Sequence, residues 1–222
     1  MNTYRSANNP LGMTLLQMRL SIGLVGTLLP WALLAGNAAW GDGPALLASI
    51  SNYYDSVMRN VFVGALFALG VFLCSYSGHD CNDRLAGLVA GLSAFGIAVC
   101  PFNSCGFAGW SDKTIQTLHL GFAIAYLVTF ACYCLFLFTR TDGRRDMTPR
   151  KRVRNRWYKA CGWTIVACLV LIGIYKKWLE TAPGWQWLSC WCPVFWLEAL
   201  AVDAFGVAWI IKSEAILGDP RG

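Results

Sequence analysis

Residues 118–138 read LHLGFAIAYLVTFACYCLFLF, an apolar run without a single Asp, Glu, Lys or Arg. A helix needs about 20 mainly apolar residues to cross the hydrocarbon of a bilayer, and this run is long enough. A membrane β-barrel instead requires short segments in which apolar and polar residues alternate. The run, like VFVGALF at residues 61–67, is apolar on every face. The sequence therefore predicts membrane-spanning helices rather than a barrel.

The composition of the whole chain supports the same class of protein. Of its 222 residues, 56% are hydrophobic and 14% are charged, whereas an average globular protein carries about 25% charged residues. The mean hydropathy is +0.47. A soluble domain of this size needs more charge to cover its surface, so these values exclude an ordinary cytosolic protein.

Further apolar runs lie on both sides of the first, bounded by charged or turn residues. The six predicted spans lie near residues 16–40, 59–77, 84–102, 117–139, 158–178 and 190–211. The fold class is therefore all-α, a six-span transmembrane bundle that forms one domain over residues 1–222. Gly87 and Gly91 form a G-x-x-x-G pair in the third span, which predicts close contact with a neighbouring helix.

The distribution of Lys and Arg predicts the orientation. The segment 140–159 holds half of the 18 Lys and Arg residues, and most of it is the predicted loop 140–157 between spans four and five. Positively charged loops stay in the cytoplasm, so six spans place both termini there too. The first run is too long for the core of a cleaved signal peptide and lacks a clear cleavage site, so it is predicted to be retained. We expect a multi-pass protein of a cell membrane, the bacterial inner membrane being the best fit.

The basic segment has two interpretations. Its charges suit membrane topology and contact with anionic lipid headgroups. A nucleic-acid role would call for interleaved aromatic residues or a recognisable binding fold, and neither accompanies the charges. Thr148 and Pro149 predict an interruption of helix, after which Arg150 to Lys159 is predicted to begin the fifth helix at the interface. The expected partners are therefore membrane lipids rather than nucleic acid.

The cysteines and histidines give weaker signals. Residues 79–83, HDCND, could bind a metal or form an ordinary polar turn; because no zinc-type spacing is present, no metal site is predicted and the cofactor is unknown. Four cysteines are predicted at the outer face: Cys100, Cys105, Cys190 and Cys192. An oxidising compartment would permit disulfides between them, or they are small buried apolar residues.

Residues 49–60, SISNYYDSVMRN, form a polar and aromatic segment that runs into the second span. If the segment is helical, Ser51, Asp55 and Arg59 share one face, because residues four apart are neighbours on a helix. Asp55 and Arg59 can then pair at the lipid boundary. This face, together with Tyr54, either lines an outer cleft or belongs to a belt of interfacial residues.

Two acids interrupt the sixth span. Glu198 and Asp203 lie in an otherwise apolar helix, where an ionisable residue is costly enough to suggest a function. At 100° per residue they lie about 140° apart around the helix, so they do not share a face. Glu198 is predicted either to meet Arg59 or His119 at a similar depth or to be a hydrogen-bonded carboxyl group with a structural role. His119, near the outer end of the fourth span, is either a functional group or a packing group.

Three stretches carry a resemblance to known membrane proteins: SISNYYDSVMRNVFVGALF at residues 49–67, VFWLEALA at 194–201 and WIIK at 209–212. Over most of its length the chain resembles a group of uncharacterised bacterial integral membrane proteins with six spans. A fainter resemblance is to the CREST membrane hydrolases, which include the alkaline ceramidases. That family has a Ser-x3-His motif, together with further histidines and an aspartate that lie around a zinc ion. Here the position four residues after Ser51 is occupied by Asp55 instead of His, and the last span has no H-x3-H pair.

Three functions fit these patterns. The first is binding or modification of a lipid or amphiphile in an outward-facing cleft. There His119 would act as a general base, Glu198 or Asp55 would be the orienting acid or a metal ligand, and Arg59 would hold an anionic headgroup. The second is a proton-coupled transporter or channel component. The third is a structural or sensory subunit that meets a membrane-protein partner or a second copy. Whether the protein is an enzyme stays open, since no nucleophile elbow, Walker loop or dinucleotide-binding loop is present.

Most of the candidate residues for these functions lie near the predicted outer end. The candidate catalytic residues are His119, Glu198 and Asp55, and the candidate binding residues are Arg59, Ser51, Tyr54 and Asp203. In the transporter interpretation, Glu198 and Asp203 are protonatable steps along a path.

Overall fold

A computed structural model describes residues 13–76, 81–101, 111–140 and 148–217, which contain helices and no strand. Its six α-helices are α1 (Leu15–Trp40), α2 (Arg59–Ser75), α3 (Cys81–Val99), α4 (Asp112–Cys132), α5 (Pro149–Ile174) and α6 (Pro193–Lys212). The π-helical turns Tyr133–Leu137 and Tyr175–Leu179 extend α4 and α5, and 3-10 helices at Ile50–Asp55 and Gln186–Trp191 precede α2 and α6. The predicted all-α fold is confirmed for this part of the chain.

Polar side chains at the helix starts explain where three of the helices begin. The Thr14 hydroxyl accepts a hydrogen bond from the backbone N–H of Gln17, whose side chain accepts in turn from the N–H of Thr14. Ser111 caps α4 and Thr148 caps α5 in the same way through their hydroxyls. These bonds satisfy N–H groups that have no partner within the helix.

The start of α5 corrects one predicted boundary. Pro149 occupies the first turn of the helix, where its missing N–H costs no hydrogen bond. The segment from Arg150 to Lys159 is helical, as predicted. The second half of the predicted loop 140–157 therefore belongs to α5.

Within the described ranges, four helices are long and apolar enough to cross a membrane: Leu15–Trp40, Asp112–Leu137, Pro149–Leu179 and Pro193–Lys212. The helix α2 is apolar but has 17 residues, and α3 has 19 residues with Asp83 in its first turn. Large apolar side chains point outward, with Leu28 exposed by 59% and Trp163 by 63%. Such a surface suits lipid better than water, and the chain is a membrane protein.

The helices form a closed bundle. Each one packs against its neighbours along the chain, and α1 also packs against α6. Arg19 near the start of α1 contacts Tyr76 at the end of α2 and the carbonyl of Lys212 at the end of α6. We call this the basic end of the bundle. The start of α2, the end of α3 and the starts of α4 and α6 meet at the opposite end.

Glycines allow close approach between helices. A Cβ atom on Gly87 would lie 2.6 Å from the carbonyl oxygen of Leu73, and one on Gly91 would lie 2.7 Å from the carbonyl oxygen of Gly70. Both distances are shorter than real Cβ contacts, so α3 could not pack this closely on α2 with larger residues. The predicted helix contact at Gly87 and Gly91 is confirmed.

Candidate functional site

A serine and a histidine meet at the end of the bundle opposite the basic end. Ser51 lies in the 3-10 helix before α2, and His119 lies in the second turn of α4. The Ser51 Oγ is 2.9 Å from the His119 Nε2, although the two residues are 68 positions apart in the chain. The His119 side chain is only 3% exposed. Two of the candidate residues are thus brought into direct contact.

The other nitrogen of His119 is held by the backbone. Its Nδ1 lies 2.6 Å from the carbonyl oxygen of Cys100, just beyond the end of α3. A carbonyl oxygen can only accept, so Nδ1 carries a hydrogen and, in the neutral ring, Nε2 accepts from the Ser51 hydroxyl. The group that orients the imidazole is therefore a backbone carbonyl and not Glu198 or Asp55, the two acids predicted for this role. Every residue has a backbone carbonyl, so no residue type in the sequence could have identified this partner of His119.

Glu198 fastens the 3-10 helix to the sixth span. Its Oε2 accepts a hydrogen bond of 2.7 Å from the backbone N–H of Ile50, the first residue of that helix. This N–H has no partner inside the helix and would otherwise be buried unsatisfied. Glu198 thereby positions Ser51, the next residue. The predicted contact with Arg59 or His119 is replaced by this backbone bond.

An apolar cavity of about 70 Å³ lies beneath these groups. Ser51 and Glu198 line its polar side, and the remaining wall is mostly aliphatic and aromatic. The apolar lining comes from five helices: Leu29, Phe62, Leu66, Leu69, Ile97, Ala123, Leu127 and Val202. A water molecule occupies about 30 Å³, so the space fits a short piece of a ligand and not a whole lipid.

Tyr126 also lines the cavity and was missed by sequence reasoning. It is 5% exposed, and its hydroxyl is buried with no hydrogen-bond partner among the described residues. A signal existed, because Tyr126 follows His119 by seven residues and therefore lies on the same face of α4. An unsatisfied buried hydroxyl costs free energy.

Arg59, Tyr54 and Asp55 do not join this site. The 3-10 helix ends at Asp55 and α2 begins at Arg59, so the predicted common face of Ser51, Asp55 and Arg59 is not formed. The Arg59 guanidinium instead donates to the Tyr54 hydroxyl at 2.7 Å and lies 4.4 Å above its ring. Asp55 and Arg59 are both exposed. These residues form a separate group next to the site.

Asp203 faces a different neighbour from Glu198, as their angular separation predicted. Its Oδ2 accepts a hydrogen bond of 3.1 Å from the indole N–H of Trp31 on α1. Val202, and not Asp203, lines the cavity. The predicted role of Asp203 in substrate binding at this site is therefore not supported by its position.

Tyr53 anchors the loop that carries the site. It is fully buried, and its hydroxyl donates to the carbonyl of Ala45 at 2.9 Å. Burial raises the pKa of Tyr53 above its ordinary value, so the phenol stays neutral and keeps donating. The backbone from residue 45 to residue 53 is thereby fixed.

The structure gives no support for a disulfide or a metal ion among the residues it describes. Cys100, Cys190 and Cys192 have free thiols, while Cys105 and His79 lie outside the described residues. Within the described ranges, no three His, Cys, Asp or Glu residues lie close enough to hold a metal ion.

The bond from Ile50 to Glu198 leads to a first prediction. Glu198→Leu should destabilise the protein by about 1–2 kcal/mol, because it leaves the Ile50 N–H buried without an acceptor. Glu198→Gln should cost less, since its amide oxygen can still accept. Unfolding in mixed micelles of dodecylmaltoside and SDS measures both. Equal losses in the two variants would contradict this role of Glu198.

Comparison of the whole chain with family models, with curated proteins and with solved structures finds no match. The function must therefore be inferred from the site itself.

Proposed function

We propose that this chain is a membrane protein that binds a lipid or amphiphile in the cavity beneath Ser51 and Glu198 and acts on it through Ser51 and His119. One observation carries the proposal. A serine hydroxyl lies 2.9 Å from a histidine nitrogen and, together with a carboxyl group, lines an otherwise apolar cavity inside the bundle. Cavities of this kind, apolar with a few placed polar groups, are typical of ligand sites.

The size of the cavity defines which part of a ligand enters it. About 70 Å³ admits the polar junction of an amphiphile, where an ester or amide joins the chain to the headgroup. The rest of the alkyl chain stays among the helices or in the bilayer.

The chemistry proposed for the site is acyl transfer. A serine hydroxyl is a weak nucleophile unless a neighbouring base accepts its proton. His119 is held as such a base by the Cys100 carbonyl, with Nε2 directed at the Ser51 hydroxyl. Attack of Oγ on a carbonyl carbon would transfer the Ser51 proton to Nε2, from which it passes to the leaving group.

The same proposal includes six spans in a bacterial cell membrane with both termini in the cytoplasm. A span needs roughly 17–25 residues, so α2 and α3 with 17 and 19 residues are at the short end of that range. The opposite directions of successive helices support six crossings. The concentration of cations at the basic end supports a cytoplasmic position for that end, with the serine and histidine on the outer side.

Native mass spectrometry of the detergent-purified protein tests ligand binding. The wild type should retain a lipid or amphiphile, and Ala123→Leu should reduce its occupancy about fivefold or more, because the larger side chain overfills the cavity. The matched control is Gly121→Leu, on the same helix, since a Cβ atom there meets no other atom within 4 Å.

Two results would contradict the proposal. One is a wild type that retains no ligand in any detergent gentle enough to keep it folded. The other is an equal loss of ligand in the Ala123 and Gly121 variants, which would mean that the retained lipid lies on the outer surface of the bundle.

A further inference from the structure

A second cavity, at the basic end of the bundle, is lined by four cations from three helices. Arg19 comes from α1, Lys151 and Arg154 from α5, and Lys212 from α6. The cavity has a volume of about 110 Å³. The four residues are spread over more than 190 positions of the chain, so the fold brings them together. The basic segment 140–159 supplies only two of them, Lys151 and Arg154.

Two of these cations are buried to an extent that is unusual for arginine. Arg19 is 6% exposed and Arg154 is 8% exposed. Arg154 donates to the carbonyl of Leu217 at 3.1 Å. Arg19 donates to the Tyr76 hydroxyl at 3.2 Å, but its Nε is buried with no hydrogen-bond partner among the described residues. A buried guanidinium donor without an acceptor is costly, and an anion close to the guanidinium would lower that cost through its charge.

Two acids lie near these cations in the part of the chain that the structure describes. Glu214 lines the cavity and is exposed, and Asp83 acts electrostatically on Lys212. Among the described residues, four cations and two acids therefore surround the cavity. Arg and Lys in such an arrangement suit the oxygens of a phosphate group.

An apolar groove adjoins this cavity. It has a volume of about 340 Å³ and is lined by Trp157, Val207, Ile210, Ile211, Ile216 and Leu217. Ile211 lines both spaces, and Leu217 links them because its carbonyl accepts from Arg154. An anion site that opens beside an apolar groove matches a phospholipid, whose phosphate is joined to alkyl chains. A free phosphate ion has no alkyl chain and would not occupy the groove.

We propose that this cavity binds the phosphate of an anionic phospholipid and that one of its acyl chains lies in the groove between α5 and α6. Cation clusters between helices at the cytoplasmic side of membrane proteins are suited to anionic headgroups. The site is separate from the serine and histidine at the other end, and it does not depend on the function proposed for them.

The test compares lipid binding to the purified full chain with two double variants of equal charge change. Lys151→Gln with Arg154→Gln removes two cations from the cavity. Arg152→Gln with Arg156→Gln removes two exposed cations from the same helix. Each protein is titrated with dioleoylphosphatidylglycerol, with dioleoylphosphatidylcholine and with inorganic phosphate, and binding is followed by native mass spectrometry and thermal stability.

We expect the wild type to prefer phosphatidylglycerol over phosphatidylcholine by about tenfold or more, and the cavity variant to lose at least about tenfold in affinity for phosphatidylglycerol. The exposed variant should stay within about twofold of the wild type. If the cavity variant does not fold, Lys151→Gln alone should still lose about fivefold, because this residue is only half-buried.

Three results would overturn the proposal. Equal losses in the two double variants would show that only the general charge of the helix attracts lipid. Equal affinity for the two phospholipids would remove the role of the cations. Inorganic phosphate that stabilises the protein as strongly as phosphatidylglycerol would identify a site for a free phosphate ion instead.

Discussion

An alkyl fluorophosphonate should modify Ser51 in the wild-type protein, and the rate of modification should fall by about a hundredfold or more in His119→Phe. In this reaction the Ser51 Oγ attacks phosphorus, fluoride leaves, and the hydroxyl proton moves to the His119 Nε2. The base is already in place, 2.9 Å from the serine oxygen, and the Cys100 carbonyl fixes the ring. Loss of the imidazole leaves an ordinary serine hydroxyl, which is a poor nucleophile.

Intact-mass measurements give the rate of labelling, and peptide mapping identifies the modified residue. Ser51→Ala should abolish the adduct. Ser56→Ala is the matched control, because Ser56 lies in the same segment and its hydroxyl donates to the Tyr53 carbonyl. Modification of another serine, or a rate that does not depend on His119 in a folded protein, would disprove the role of the pair.

The sequence predicted the members of this site better than their arrangement. His119 and Ser51 were identifiable as polar groups near the ends of apolar runs, and Glu198 as an acid inside one. Their contacts were not, because residues 50–55 form a 3-10 helix with three residues per turn. The α-helical spacing that joined Ser51 to Asp55 and Arg59 therefore does not apply. Backbone groups complete the site, and periodicity alone does not reveal them.

The helices themselves were more predictable, because the length of an apolar run can be read from one stretch of sequence without knowledge of its tertiary contacts. The predicted first and sixth spans, 16–40 and 190–211, agree closely with α1 and α6. The boundary of α5 was less certain, since its first turns are rich in arginine and lie where a loop was also expected. The first turns of α5 tolerate Lys151 and Arg154 because these two cations face a polar cavity and not lipid.

The angular positions of residues around α6 also indicate which face of this helix lies in the protein core. Phe205 and Trp209 follow Glu198 by seven and eleven residues and therefore lie on the same face of α6, and both aromatic residues are fully buried. Asp203, on another face, contacts Trp31 instead. A helix in lipid can thus be oriented from its polar residues, while the partners of each face depend on the order of the helices around the bundle.

Trp209→Ala should cause the largest loss of stability, about 3 kcal/mol. The Trp209 ring is fully buried at the basic end of the bundle. Its centroid lies 4.9 Å from that of Tyr76, 5.1 Å from Phe138 and 5.4 Å from Tyr133. Truncation leaves a void among these rings. The expected value is at the lower end of the range for soluble proteins, because lipid is as apolar as the core and only packing is lost.

Equilibrium unfolding in mixed micelles of dodecylmaltoside and SDS measures this loss. Trp163→Ala is the matched control, since its side chain is 63% exposed, and it should change the stability by no more than about 0.5 kcal/mol. Trp209→Phe should lie between the two, because it keeps an aromatic ring and removes an indole N–H that has no partner among the described residues. If Trp209→Ala and Trp163→Ala have equal effects, the aromatic cluster does not stabilise the bundle.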